Sequence, residues 1–529
     1  MNRKPPIYLV VAGLLTTALT ACGVPADGVI AVGTTDTITA TKGAPAPIDP
    51  AFAYDIGNWN ILRQTVQTLM IQPRGEGEPV PEAAQSCGFT DSSNQRYACI
   101  LRKGLQFANG DPVTASDVKY SIDRARGLKA DSGVFALLST IDTVEIQGDR
   151  KIIFHLKAAD ATFPFKLTTP VAGIVDPEIY DKKRLRDGFE VDGSGPYILK
   201  AEVDGDTLTS AVFTKNPHYR GSRKVNNDKV ELRSFDDADK METALHEGDI
   251  DLTTRTMSPA QIQRLAADSD DDVDLVEMAG LEIRYLAFNI DAPSVKSKAV
   301  RQAVAQVIDR GELVTRVYDS QAKPLYSLVA AGITGHSNSF FNKYGDPDVD
   351  KAKSLLERAG ISTPVKLTLH FTADHYGPAT KTEFGILEKQ LDNSGLFEVE
   401  IKSHRWTTFR PAAKRGEYEV YGMGWFPDFP DADNYLAPFL DKDNFLGSSY
   451  TSRTIRDTLI PNSRWATTRS LASLQLLHIQ DIVANDVPVL PLWQGKLYVA
   501  ANEGVTGTAY VLNSSSSLQL WELSKSVRG

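Results

Sequence analysis

The chain has 529 residues, 42% of them hydrophobic and 23% charged, the balance of a globular protein of about three domains at roughly 100–200 residues each. Lys and Arg number 57 against 67 Asp and Glu, a formal charge of −10. Wholesale disorder is excluded, a nucleic-acid binder with its basic stripe is disfavoured, and no polybasic surface is available for membrane attachment.

The N-terminus reads as an export signal. Arg3 and Lys4 are followed by the apolar run Ile7–Leu19, the length of a signal core and too short for a transmembrane helix. The run ends in Leu19-Thr20-Ala21-Cys22-Gly23, small residues before a Cys, as in a lipobox. Lipidation of Cys22 and removal of the signal before it would leave Cys22 as residue one, followed by a tether over 23–28. Two acyl chains, at roughly 0.8 kcal/mol per buried CH₂, anchor a domain stably. No later segment holds 18 unbroken apolar residues.

Val29–Thr34 is a plausible first strand. Arg96–Leu101 and Lys151–Leu156 read as short strands between turn signals. Cys87 and Cys99 flank a polar centre that reads as a hairpin turn, and in an oxidising compartment two thiols at this spacing invite a disulfide. Thr114–Ala125 has helical spacing at Val118, Ile122 and Ala125, with Thr114 or Ser116 as cap. Lys240–His246 predicts a short helix, Val300–Val317 one amphipathic helix, Lys351–Ala359 another, and Val365–Phe371 and Tyr418–Met423 strands.

The common chemistries are missing: there is no P-loop, no G-x-S-x-G and no H-E-x-x-H. Ser116-Asp-Val-Lys119 matches S-x-x-K, but a helix cap explains it better. The acidic run Asp268–Asp274 lacks the Gly and the final Glu of a calcium loop and reads as a solvated turn. Neither a metal nor any other cofactor is implied.

Four stretches, in order, carry a resemblance: Leu101–Arg124; Gly193-Ser-Gly-Pro-Tyr197; Ala287–Asp291 leading into Val300–Arg310; and Gly424–Tyr435. Together they resemble the extracytoplasmic solute-binding proteins of ABC importers, family 5, the oligopeptide and dipeptide class. The resemblance implies an α/β, bilobal periplasmic-binding-protein-like fold (type II, cluster C) with an extra inserted α+β lobe. Lobe I would be 29–66, 192–285 and 491–529; inserted lobe II 67–191; lobe III 286–490. Two strands near Tyr285–Asn289 and Pro488–Trp493 would form the hinge.

In such a cleft the ligand backbone pairs with a strand and its α-amine needs a fixed carboxylate. The resemblance assigns the carboxylate to Asp428, main-chain pairing to Gly424 and Phe426, and a side-chain pocket to Trp425. Gly424 would let a ligand backbone approach. Tyr54 and Trp59 are candidates for the opposite wall. Some oligopeptide binders carry an Arg two residues before the strand Gly; Gly422 stands there, so the partner of a ligand carboxylate is unassigned.

The implied function is a lipid-anchored, monomeric receptor on the outer face of the cell membrane. It would deliver oligopeptides to a permease served by a separate ATPase, with no covalent chemistry. The alternatives are the same fold binding a nickel chelate, an oligosaccharide or an opine-like solute, a cell-wall hydrolase, or a signalling receptor.

Overall fold

A computed structural model describes residues 28–525, apart from 75–76, 255–256, 268–272, 378, 443 and 445. Cys22 and most of the acidic run from Asp268 lie outside the described residues. Among the described residues, no helix is long and apolar enough to cross a membrane.

A mixed sheet of 11 strands runs through the molecule. Its path begins with Phe397–Ser403, Val365–Phe371 and Val420–Trp425. It passes through Val273–Phe288 and Val489–Asn502, and ends with Leu252–Thr254, Ile30–Thr34, Lys229–Ser234, Thr207–Lys215 and Tyr197–Asp204. The two central strands, of 16 and 14 residues, pair antiparallel along most of their length. They span two separate hydrophobic cores. One gathers side chains between Leu281 and Trp493; the other takes residues from Ile30 to Leu252 and from Leu497 to Leu523.

The register of the central pair breaks between Ala279 and Ile283, and again between Arg284 and Tyr285. At the break, a Cβ on Gly280 would lie 2.6 Å from the carbonyl oxygen of Gly495, so the backbones touch where only glycine fits. The irregularity therefore lies N-terminal to Tyr285–Asn289, where the expected hinge was placed on the first strand.

A second, antiparallel sheet of four strands orders Ala84–Phe89, Arg96–Leu101, Lys151–Leu156 and Ile141–Gln147. Cys87 and Cys99 face each other in its hairpin and are joined by a disulfide. Its apolar face merges with the Ile30 core rather than forming a core of its own. Helix Ala115–Leu128 fastens the junction. Thr114 and Asp117 form its capping box, and Arg124 reaches out to grip Asp49 through two hydrogen bonds of 2.8 and 2.7 Å. Both side chains are buried, and Asp49 also accepts from the backbone N–H groups of Ala51 and Arg186.

The expected helix over Val300–Val317 is two: Lys298–Val307 and Arg310–Tyr318. Ile308 is extended, and Asp309 caps the second helix by accepting from Glu312 N–H at 3.0 Å. The apolar positions stay in phase across the break, so periodicity alone does not reveal it. The strand expected at Tyr418–Met423 runs from Val420 to Trp425.

Candidate functional site

Strand Val420–Trp425 pairs along its full length with Ile283–Phe288 on one edge. On the other edge, Val365–Phe371 meets it only at Val420 and Tyr421. Among the described residues no strand covers Gly422–Trp425 on that side. Tyr376 Oη approaches the Gly424 carbonyl at 3.5 Å, which places that carbonyl on the uncovered edge. Pro427 cannot donate to a ladder and ends the strand, so Asp428 emerges at its tip.

All six residues expected at the site (Tyr54, Trp59, Gly424, Trp425, Phe426 and Asp428) line one cavity of about 80 Å³. Tyr54 and Trp59 come from the segment entering helix Ile56–Thr65; the others come from the strand and its exit loop. His375, Tyr376, Trp406 and Arg410 complete the wall, with the His375 and Trp406 rings stacked at 3.9 Å. Tyr376 and Phe426 also line a second cavity, of about 150 Å³, beside Glu282, Arg284 and Trp493. On the far side of Asp428 lies a third cavity, about 40 Å³, against Arg63 and Arg223.

Asp428 is 9% exposed. One carboxylate oxygen accepts from Asn434 Nδ2 at 2.9 Å and from Tyr54 Oη at 3.2 Å, while Asp428 N–H donates to Asn434 Oδ1 at 2.7 Å. Among the described residues, no cationic group stands within 4.0 Å of it. Burial pushes its carboxyl up to about 6, against the two hydrogen bonds and the more distant Arg63 charge. The Tyr54 hydroxyl is pushed well above its usual range by burial and by Asp428.

Asp431, three residues on, is different. Arg469 grips it through Nε at 2.5 Å and Nη2 at 2.9 Å, and it accepts from Asp433 N–H at 2.8 Å. Its charge is satisfied inside the protein.

Trp59 and Trp425 both line the cavity and pack in the cores. Trp59 Nε1 donates to Ala53 C=O at 2.8 Å, and the Trp425 ring meets Phe439 edge-on at 5.4 Å. Gly424 also makes room for a neighbour. A Cβ there would collide with the Arg284 guanidinium, which lies over the Tyr376 ring at 4.0 Å and is ion-paired with Glu282. The missing side chain makes room for Arg284 rather than for open space. Gly422 is closed in a like way, because a Cβ there would strike the Phe384 ring.

Sequence reasoning missed Arg63, Asn434, Tyr376 and Arg284. Arg63 carried a weak signal, a cation one helical turn beyond Trp59; Tyr376 lies in a loop without one. Among the described residues, no cluster of three or more His, Cys, Asp or Glu could hold a metal ion.

A family model for bacterial extracellular solute-binding proteins, family 5, matches residues 78–447. The chain belongs to that family. Dipeptide-binding protein DppE of Bacillus subtilis is 23% identical over 492 residues, covering 88% of each chain. The Helicobacter pylori periplasmic binding protein DppA in complex with peptide STSA superposes with a TM-score of 0.79 at 22% identity, over 94% of this chain and 98% of that one. AgaA of A. tumefaciens R10 with agropinic acid gives 0.79 at 19% identity, over 95% and 99%. The fold is the bilobal type II fold of these binding proteins.

Proposed function

We propose that this family 5 protein is the receptor of an ABC importer, capturing peptides between its lobes and handing them to a permease driven by a separate ATPase. The observation that carries the reading is Asp428, a buried carboxylate facing the cavity with, among the described residues, neutral hydrogen-bond donors and no cation within 4.0 Å. A peptide ammonium completes it. As a charge-assisted hydrogen bond this contact is worth about 1.5–3 kcal/mol. The uncovered edge of Gly422–Trp425 and the residue that follows it offer main-chain groups of Gly424 and Phe426 to the ligand backbone, and Tyr54, Trp59 and Trp425 form the side-chain walls.

The central strand pair, with its irregularity at Gly280–Glu282 and Gly495, is the hinge between lobe I (29–66, 192–285 and 491–529) and lobe III (286–490). Inserted lobe II (67–191) moves with lobe I because of the Arg124–Asp49 joint. Ligand favours closure by binding the closed form better. Diacylation of Cys22 holds the receptor, a monomer, on the outer face of the cell membrane, and it performs no covalent chemistry.

The relatives favour peptides by name, and one neighbour, AgaA, is in complex with agropinic acid. Native mass spectrometry of the purified protein separates the two readings: a co-purifying peptide supports the proposal, and a retained non-peptide solute overturns it. Recovery of intact peptides after long incubation distinguishes a receptor from a hydrolase.

A further inference from the structure

The cavity beyond Asp428 holds charges that the peptide reading does not use. Arg63 projects from helix Ile56–Thr65, and Arg223 from the loop before strand Lys229–Ser234. Each guanidinium is pinned on an aromatic face, Arg63 at 5.1 Å from the Trp59 ring and Arg223 at 4.3 Å from the Trp521 ring. Among the described residues, each also has a buried N–H without a hydrogen-bond partner: Nη1 of Arg63 and Nε of Arg223. Ser515 Oγ, on the same cavity, is buried and unpartnered as well. Gln72 Oε1, also unpaired, is an acceptor and stands outside this donor set. Buried donors without acceptors are costly, and residues lining one space hold three of them, two on cations, which favours an anion there. The cavity of about 40 Å³ exceeds the roughly 10–15 Å³ that one water needs, so a small polar group fits.

The charge count points the same way. Arg63 faces Asp428, and Arg223 is offset by Glu82, whose carboxyl stays low through the Arg223 charge and bonds from Ser222 and Tyr219 although burial opposes it. The four charges cancel while the cleft is empty. A ligand ammonium on Asp428 adds one positive charge beside two guanidiniums, and a carboxylate in the cavity restores the balance. It must belong to a group within a side chain's reach of that ammonium.

We propose that this cavity receives the acidic side chain of the ligand's first residue, so that the receptor selects peptides with Glu or Asp at the N-terminus. The proposal rests on the assignment of the ligand ammonium to Asp428. Calorimetry tests it with alanine peptides of two to five residues carrying Glu, Gln or Ala at the first position, and with Glu at the second position as a placement control. Glu-first peptides bind about tenfold or more tighter than Gln-first ones, and Glu at the second position gives no such gain. Arg63→Gln and Arg223→Gln each bring the ratio of Glu-first to Gln-first affinity close to one, whatever they do to the affinity for both. If either variant does not fold, the wild-type panel alone decides. Equal affinity for Glu-first and Gln-first peptides, or a preference that survives in both variants, overturns the acidic pocket and leaves the peptide reading standing. Absence of binding by every peptide overturns both.

Discussion

Asp49 and Asp428 both lie where distant parts of the chain meet, and their surroundings differ in kind. At the Asp49 joint every charge is answered: Arg124 forks onto the carboxylate and two backbone N–H groups fill its remaining positions. At the cleft, among the described residues, the Asp428 carboxylate accepts only from neutral donors, and Arg63 and Arg223 keep N–H groups without acceptors. Asp431 and Arg469 repeat the answered pattern three residues from Asp428. A saturated junction makes a rigid joint, whereas an unsaturated one is stable only at a cost that a ligand can relieve.

Unsaturating the joint should have the largest effect. Arg124→Met strands the buried Asp49 charge and should lower stability by about 3–5 kcal/mol, read as a shifted denaturant or thermal midpoint. Ligand affinity should change little, because neither residue lines the cleft. The converse change is Asp428→Asn. A carboxyl whose folded pKa is raised from 3.8 to about 6 is destabilising when charged. The penalty is full above about pH 6 and fades as pH falls towards 4. The ligand-free Asn variant should therefore be more stable than wild type at pH 7.5, by up to about 3 kcal/mol, and lose that advantage near pH 4. Melting curves across that range check the sign. Tyr54→Phe removes one donor from the carboxylate, and about 0.5–1.5 kcal/mol of affinity for free-amine ligands should go with it. An unchanged affinity would place Tyr54 in the wall alone.

Much of the cleft was legible because its signals are local. A strand with glycines, a proline that ends it and an Asp at the tip can be read from Gly422–Asp428. Helix Ala115–Leu128 was legible from its cap and spacing. The unread parts depend on meetings over long separations. Arg63 and Arg223 are 160 positions apart, and each alone reads as a solvated cation. Arg284, which fills the space beside Gly424, was not legible because it comes from a neighbouring strand. Asp428 and Asp431 look alike in sequence; only the fold brings Arg469 to one of them.

The most direct measurement is calorimetry of wild type and Asp428→Asn with one short peptide in free-amine and N-acetylated forms. Wild type should prefer the free amine by about 1.5–3 kcal/mol, and the variant should show little or no preference. An equal preference for the free amine in both proteins would contradict the assignment of Asp428 and, with it, the account of the cleft.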